Sequence, residues 1–203
     1  MKVYKFHPMT NIEHTLDIFI NRRFYASKFD NLNDPMEGYF RSDPKLDRAF
    51  RKELQGDLGR TRICSFCREH TNPVLWAYYA NGFKGVCFEV ELDESICPPI
   101  AEVNYDDRDL YLPGDSESFR GVFHLVILTK KLTAWVQEKE VRVLTDREYV
   151  EGPCAQITAI MLGRRTPKIV RRAILGCADN ELDVWTTGLD KGNGKIIKAK
   201  LIK

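Results

Sequence analysis

Two carboxylates lie at the start of a strand-like segment, in the stretch Trp135 to Leu144, WVQEKEVRVL. Glu138 and Glu140 are two residues apart, so alternation along a strand places them on one face together with Arg142. Such a pair can act in acid–base chemistry or stabilise a positive charge that develops in a transition state. The same spacing suits a salt-bridged strand edge with Arg142 as partner, and spacing alone leaves both interpretations open.

Three further segments concentrate polar and aromatic side chains where strands are expected to meet loops. These are Tyr4, Lys5 and His7 in VYKFHPMT, Asn33, Asp34 and Glu37 in FDNLNDPMEGYF, and Trp76, Tyr78 and Tyr79 in NPVLWAYYANGFKG. Each also has a purely structural interpretation. Asp34 before Pro35 is typical of a turn cap, Trp76 and Tyr79 have the spacing of core residues on a helix, and Lys5 could be plain surface.

The elements that must position these segments mix strands and helices without repeats. Strands are predicted for VYKF, RRFYAS, TRICSF, KGVCFEVEL, IAEVNY, EVRVLT, QITAIMLG and, as a pair, LDVWTT and KIIKAKLIK. Helices are predicted for NIEHTLDIFINR with Asn11 as N-cap, for a polar surface segment over 44–54, for NPVLWAYYANG, for SESFRGVFHLVILTKKL, and for TPKIVRRAIL with Thr166 as N-cap. The pattern predicts one α+β domain over residues 1–203, built on a largely antiparallel sheet.

Composition favours a folded protein with a sizeable core. The chain has 203 residues, of which 43% are hydrophobic and 11% aromatic, and its net charge is +2. This balance does not by itself indicate a nucleic-acid partner. A basic cluster of Arg164, Arg165, Lys168, Arg171 and Arg172 suits a solvated helix face, with a phosphate contact as the alternative.

No apolar run approaches the ~20 residues that span a bilayer, and the N-terminus lacks the apolar segment of a signal peptide. A cytoplasmic protein without membrane contact is therefore predicted, with all six cysteines reduced. Cys64-Ser-Phe-Cys67 is a lone CxxC without a second pair, and strand alternation would put its two thiols on opposite faces. No metal site is predicted.

Four segments, in order, resemble the signatures of a bacterial family of unknown function. FDNLNDPMEG, RICSF, NPVLWAYYANGFKGVCFEVEL and WVQEKEVRVL are similar to its N-D-P-x-E loop, its W-x-x-Y-A helix-strand and its W-x-x-E-x-E-x-R segment. The resemblance spans most of the chain. Leu32 stands where that family usually has Phe.

More distantly, the layout resembles the ADP-ribosyltransferase superfamily. Its opening, through RRFYAS, is similar to the start of bacterial nucleic-acid-modifying transferases, and EKEVRVL is similar to the superfamily's Glu-x-Glu strand start. The resemblance implies a split, mostly antiparallel sheet with flanking helices and NAD as substrate. It implies Glu140 as the catalytic glutamate, Glu138 as its partner, Asn33, Asp34, Glu37 and Arg142 around the acceptor, and a cofactor site formed by Tyr4, Lys5, Tyr25, Ser27, Trp76 and Tyr79.

Within this site, an aromatic such as Tyr25, Trp76 or Tyr79 would stack on nicotinamide, and Lys5 or Arg23 would hold the pyrophosphate. Lys5 stands where the superfamily usually has His or Arg, and Ser65 is the nearest substitute for its Ser-Thr-Ser motif.

The acceptor implied by the resemblance to bacterial toxin and phage-defence transferases is a nucleic acid, with RNA favoured, or a protein. A toxic transferase would also imply an antitoxin protein as partner. Two alternatives stay open from the residues themselves. One is a metal-dependent nuclease or phosphohydrolase, with Asp34, Glu37, Glu138 and Glu140 as ligands of Mg²⁺. The other is a binding module without catalytic activity.

Overall fold

The fold was analysed in a computed structural model that describes residues 1–178 and 182–202. The strands are β1 (Lys2–His7), β2 (Arg23–Tyr25), β3 (Ser27–Lys28), β4 (Arg41–Ser42), β5 (Arg62–Cys67), β6 (Val86–Leu92), β7 (Ile100–Glu102), β8 (Asn104–Tyr105), β9 (Tyr111–Leu112), β10 (Lys130–Lys131), β11 (Glu140–Thr145), β12 (Tyr149–Glu151), β13 (Ala155–Leu162), β14 (Asp183–Leu189) and β15 (Ile196–Leu201). The α-helices are α1 (Ile12–Asn21), α2 (Arg48–Arg60), α3 (Pro73–Tyr78), α4 (Phe123–Ile127) and α5 (Lys168–Cys177).

Nine of these strands form one sheet, in the order β15-β14-β13-β6-β1-β5-β11-β7, with β3 also beside β5. Every neighbouring pair along this path is antiparallel except β13 and β14, which run parallel. The predicted α+β class with a mostly antiparallel sheet is confirmed, as is the pairing of the last two strands, which run antiparallel.

The sheet opens between β1 and β5. These strands share one residue pair, Tyr4 with Cys67, whereas β1 pairs with β6 along its whole length. At the opposite end of β5, where the strand begins, its neighbour is β3, which pairs Ser27 with Ile63. Residues 4–7 of β1 and 63–67 of β5 therefore border a gap, which we term the sheet opening.

Hydrophobic clusters pack on both faces of the sheet. The largest lies under α1 and α5 and includes Phe19, Phe24, Phe88, Val143 and Ile174. A second contains Phe50, Leu54 and Leu58 from α2, so the polar surface helix expected over 44–54 also has a buried apolar face. It begins later, where the Asp47 carboxylate accepts a hydrogen bond from the Phe50 amide at 2.8 Å.

Two other helix predictions need correction. The long helix expected over SESFRGVFHLVILTKKL is interrupted at Gly121, whose φ of +76° leaves a short 3-10 turn at Ser116–Phe119 and the separate α4. Thr166 does not cap α5, because its hydroxyl donates instead to the Gly85 carbonyl at 3.1 Å. Asn11 does cap α1 as predicted, through the amide of His14.

The expectation that all six cysteines are reduced is wrong for one pair. Cys97 and Cys154 form a disulfide, since the hydrogen bond from the Asp93 amide to the Cys154 carbonyl holds the two segments together. The other four cysteines are free. Cys64 and Cys67 are both buried, and the Cys67 thiol donates to the carbonyls of Tyr4 and Glu69.

In the described part of the chain, no helix combines the length and apolar character needed to cross a membrane.

Candidate active site in the sheet opening

A cavity of about 650 Å³ occupies the sheet opening. Its size falls in the range typical of small-molecule sites, roughly 300–1,000 Å³. Most of the residues predicted for a site line it, although they come from distant parts of the sequence. They are Tyr4, Lys5, Tyr25, Ser27, Asn33, Glu37, Tyr79, Glu138, Glu140 and Arg142.

Arg142 is the centre of a buried charge network on β11. Its guanidinium is fully buried and forms two hydrogen bonds to Glu37, with Nη1 2.8 Å from Oε2. Two further bonds reach Glu140, from Nε at 2.9 Å and from Nη2 at 3.1 Å. Nη1 also donates to the Leu128 carbonyl. Arg142 thus positions Glu140 and Glu37, rather than meeting an acceptor as predicted.

Lys131 is the second cation of this network. Its ammonium lies 2.7 Å from Glu138, 2.8 Å from Glu140 and 3.6 Å from Glu37. Three carboxylates therefore share two buried cations, which keeps the charge near balance although all five side chains are buried. The interpretation as a salt-bridged edge is half right, because the bridge exists but β11 lies between β5 and β7.

Glu138 is not on the strand, contrary to the prediction that it shares a strand face with Glu140. It ends a 3-10 helix, Thr133–Glu138, and Lys139 then adopts a left-handed conformation with φ of +43° before β11 begins. This turn brings both carboxylates to Lys131. The Tyr79 hydroxyl, from the end of α3, donates to Glu138.

The network fixes the charge state of Glu140. Burial alone would raise the pKa of this carboxyl, but the positive charges of Arg142 and Lys131 lower it to about 2. The pKa of Tyr79 is raised by burial and by its bond to Glu138, so its phenol stays protonated. At neutral pH the cavity therefore presents an ionised Glu140 beside a phenol donor.

The β1 side of the cavity contributes a cation and a neutral imidazole. Lys5 Nζ reaches across the sheet opening and donates to the Ser65 carbonyl at 2.7 Å. His7 Nδ1 accepts a hydrogen bond from the Met9 amide at 3.2 Å, which leaves the proton of the neutral ring on Nε2. Burial, together with the charge of Lys5, lowers the pKa of His7 to about 4.

Three candidate residues lie elsewhere. Trp76 is fully buried between Phe6 and Phe83, and its indole N–H donates to the His70 carbonyl, so it cannot stack on a ligand. Asp34 is buried in its turn, where it accepts from the Met36 amide at 2.9 Å, as the structural interpretation predicts. Arg23 pairs with Asp17 and does not line the cavity.

Lys131 and Tyr105 were not among the site residues predicted from the sequence. Lys131 fell within a predicted helix, and nothing local distinguishes it from other lysines. Tyr105 accepts a hydrogen bond from the Glu140 amide at 2.8 Å through its hydroxyl, which anchors the start of β11. His7 belonged to a segment already singled out, but no role was assigned to it.

No protein-family model, curated protein or solved structure matches the chain significantly. The geometry itself must therefore indicate the chemistry. An ionised, immobilised carboxylate in a cavity can stabilise a positive charge that develops on a bound substrate. A cation, a phenol and a neutral imidazole on the other walls can bind phosphate and hydroxyl groups.

Proposed function

We propose that the protein is an ADP-ribosyltransferase that uses NAD as substrate and modifies a nucleic acid, with RNA favoured over a protein acceptor. One observation carries the proposal. Glu140 and Glu138, the carboxylates of the Glu-x-Glu pattern, line the same cavity as Lys5 and Tyr79. The resemblance implies this arrangement. The fold brings Lys5 and Glu140 to one cavity although they are 135 positions apart in the sequence.

The cavity suits a dinucleotide substrate. Lys5 offers a cation to the pyrophosphate, and the hydroxyls of Tyr4 and Ser27 offer donors to its ribose and phosphate oxygens. Trp76 is buried and Tyr25 lies at the rim, so Tyr79, bonded to Glu138, is the aromatic best placed to pack against nicotinamide.

Cleavage of the nicotinamide C–N glycosidic bond passes through a transition state that resembles an oxocarbenium ion. Glu140 would accept a hydrogen bond from the ribose 2′-hydroxyl and stabilise the positive charge. Because Arg142 and Lys131 hold this carboxylate ionised and fixed, little reorganisation is needed when the charge develops. Glu138 would orient the acceptor or take its proton.

Acceptor binding is assigned to the loop that holds Asn33 and Glu37, which Asp34 shapes from within. A nucleic-acid acceptor is supported by Arg164, Arg165, Lys168 and Arg172, which are exposed and form no ion pair with the described residues. A transferase of this kind would serve as a toxin or an anti-phage effector, and an antitoxin protein is then the expected partner.

A metal-dependent nuclease is the second candidate, because Glu37, Glu138 and Glu140 meet at one point. Lys131 and Arg142 already neutralise most of the charge of these carboxylates, so a divalent cation would have to displace two buried cations. Among the described residues, no group of three or more ligands is arranged to hold a metal ion. The transferase is therefore preferred.

Labelled NAD tests the proposal. Wild type, Glu140→Gln and Glu89→Gln are incubated without added metal with total RNA, single-stranded DNA or cell protein. Glu89 is a matched control, since it is also buried, lies on β6 and pairs with Lys2 and Lys198. Label should pass to RNA with wild type and with Glu89→Gln but not with Glu140→Gln. Metal-stimulated cleavage of RNA without label transfer would contradict the proposal and favour the nuclease.

A further inference from the structure

An aromatic group at the rim of the cavity is not needed for the transfer chemistry. Tyr25 on β2 is 42% exposed, and its ring meets that of Tyr149 on β12 edge to face at 5.8 Å. His14 on α1 lies nearly parallel to Tyr25, with ring centroids 6.2 Å apart. All three residues line the cavity. We term this group, His14, Tyr25 and Tyr149, the tyrosine rim.

Arg23 and Asp17 hold one ring of the tyrosine rim in place. The Arg23 guanidinium lies 3.7 Å from the centroid of the Tyr149 ring, and two hydrogen bonds from its Nε to the Asp17 carboxylate fix its plane. This cation is therefore neutralised by Asp17 and acts as a support. An aromatic ring that is both exposed and immobilised loses little conformational freedom when it stacks on a ligand.

Two cations beside the tyrosine rim have no carboxylate partner among the described residues. The Arg62 guanidinium lies 5.9 Å from the Tyr25 ring centroid and donates to the Tyr25 hydroxyl at 3.3 Å and the Ala26 carbonyl at 3.2 Å. Lys28 is paired with Arg62 in the β3–β5 register and is exposed. Neither cation forms an ion pair with the described residues, so both are available to an anion.

We propose that the tyrosine rim stacks an unpaired base of single-stranded RNA, with Arg62 and Lys28 as contacts to its phosphates. This inference rests on the proposed function and names its acceptor. An aromatic platform flanked by unneutralised cations is what binds single strands, because every base offers a face for stacking and every nucleotide a phosphate. Glu148, also on the cavity wall, can accept a hydrogen bond from a ribose 2′-hydroxyl, which DNA lacks.

Binding of a fluorescent RNA oligonucleotide of about twelve nucleotides, followed by anisotropy without NAD, tests the assignment. Tyr25→Leu should weaken binding about tenfold, since it removes the ring on which one base stacks. Tyr25→Phe keeps the ring and should bind as wild type does. Tyr78→Leu is the matched control, because Tyr78 is 78% exposed but does not line the cavity.

Salt dependence provides a second readout. Lys28→Gln removes one phosphate contact and should reduce the slope of log affinity against log salt concentration by about 0.7, the value for one contact to a single strand. An unchanged slope would remove Lys28 from the site. Unfolding midpoints of all variants show whether a loss of binding reflects a loss of fold.

Four outcomes would overturn the proposal. Wild type that does not bind RNA at low salt, or a Tyr25→Leu variant that binds as tightly as wild type, excludes stacking at this rim. Equal affinity for a DNA oligonucleotide of the same sequence excludes the assignment to RNA. Weaker NAD binding by Tyr25→Leu with unchanged RNA binding would assign the rim to the dinucleotide. Because RNA binding is measured without NAD, a protein that binds RNA but transfers no label contradicts the proposed function alone.

Discussion

Arg142 and Glu37 form a two-pronged ion pair between β11 and the loop that follows β3, with both side chains buried. The same guanidinium binds Glu140. One side chain therefore connects the loop that carries Glu37 to the carboxylate of the candidate site. A strand residue and a loop residue are thereby fixed relative to each other across 105 positions of sequence.

Replacing Arg142 by methionine should lower the free energy of unfolding by about 3–5 kcal/mol, because three buried carboxylates then share only Lys131. Urea unfolding followed by circular dichroism measures the change. Arg172→Met is the control, since Arg172 is exposed and its replacement should stay within about 0.5 kcal/mol. The double variant with Glu37→Gln should recover part of the loss, and a double variant as unstable as the sum of both changes would contradict a direct pair.

Changing Glu138 and Glu140 to glutamine, one at a time, should affect two different activities. Glu140→Gln should reduce both transfer and release of nicotinamide by about 100-fold or more, because the charge that stabilises the transition state is lost. Glu138→Gln should reduce transfer to the acceptor but leave release of nicotinamide to water largely intact. Nicotinamide release and label transfer are measured side by side. Equal losses of both activities in the two variants would show that Glu138 has no separate role.

Acid should destabilise the protein in two steps that belong to different residues. The pKa of His7 is about 4 in the fold and 6.5 ordinarily, so the unfolded chain binds the proton more readily. The contribution of His7 is complete above pH 6.5 and is lost as the pH falls toward 4, at a cost of roughly 2 kcal/mol after allowance for part exposure. His7→Asn keeps an acceptor for the Met9 amide and should flatten this step.

The second loss of stability occurs at a lower pH and belongs to Glu140. The pKa of Glu140 falls from 4.5 to about 2 on folding, so its stabilisation is complete above pH 4.5 and is lost as the pH falls through 2. Its size is about 3 kcal/mol, and Glu140→Gln should remove it while leaving the upper step unchanged. Urea unfolding at several pH values measures both steps. A wild type of constant stability from pH 7 to 4 would contradict the role of His7.

The central strands were predictable because alternation and burial dictate them. β1, β5, β6, β11 and β13 each carry apolar residues that the sheet buries, and all were expected near their observed bounds. The break at Gly121 was not predictable, since apolar periodicity continues through it and the positive φ is set by packing. Propensity and pattern describe local preference, and tertiary structure overrides them at such positions.

The candidate site was predictable only in part. Glu140, Glu37 and Lys5 belong to recognisable segments, and the topology brings them together. Lys131 carries no local signal, because its partners are chosen by the fold and the cost of burying its charge is offset only there. The prediction that Trp76 lies in the cofactor site was wrong. An aromatic residue on a short helix has the same sequence pattern whether it faces a ligand or the core.

Reduction of the Cys97–Cys154 disulfide should lower the free energy of unfolding by up to about 4 kcal/mol, the chain-entropy value for the 57-residue separation. The closed segment contains Tyr105, Lys131 and Glu140. Urea unfolding with and without reductant measures the effect, and the double variant Cys97→Ser with Cys154→Ser should match the reduced protein. Cys177→Ser is the control, because Cys177 is free and exposed. Identical curves in both conditions would show that the bond does not form in solution.

The left-handed turn at Lys139 has an evolutionary consequence. A pattern of Glu, any residue, Glu suggests that the middle position is unconstrained, yet here that position must adopt a φ of +43°. β-branched residues resist this conformation, whereas glycine and asparagine accept it readily. Related sequences that keep both carboxylates bound to a common lysine should therefore lack isoleucine, valine and threonine at position 139. Natural variation at this position would show whether the site is under selection.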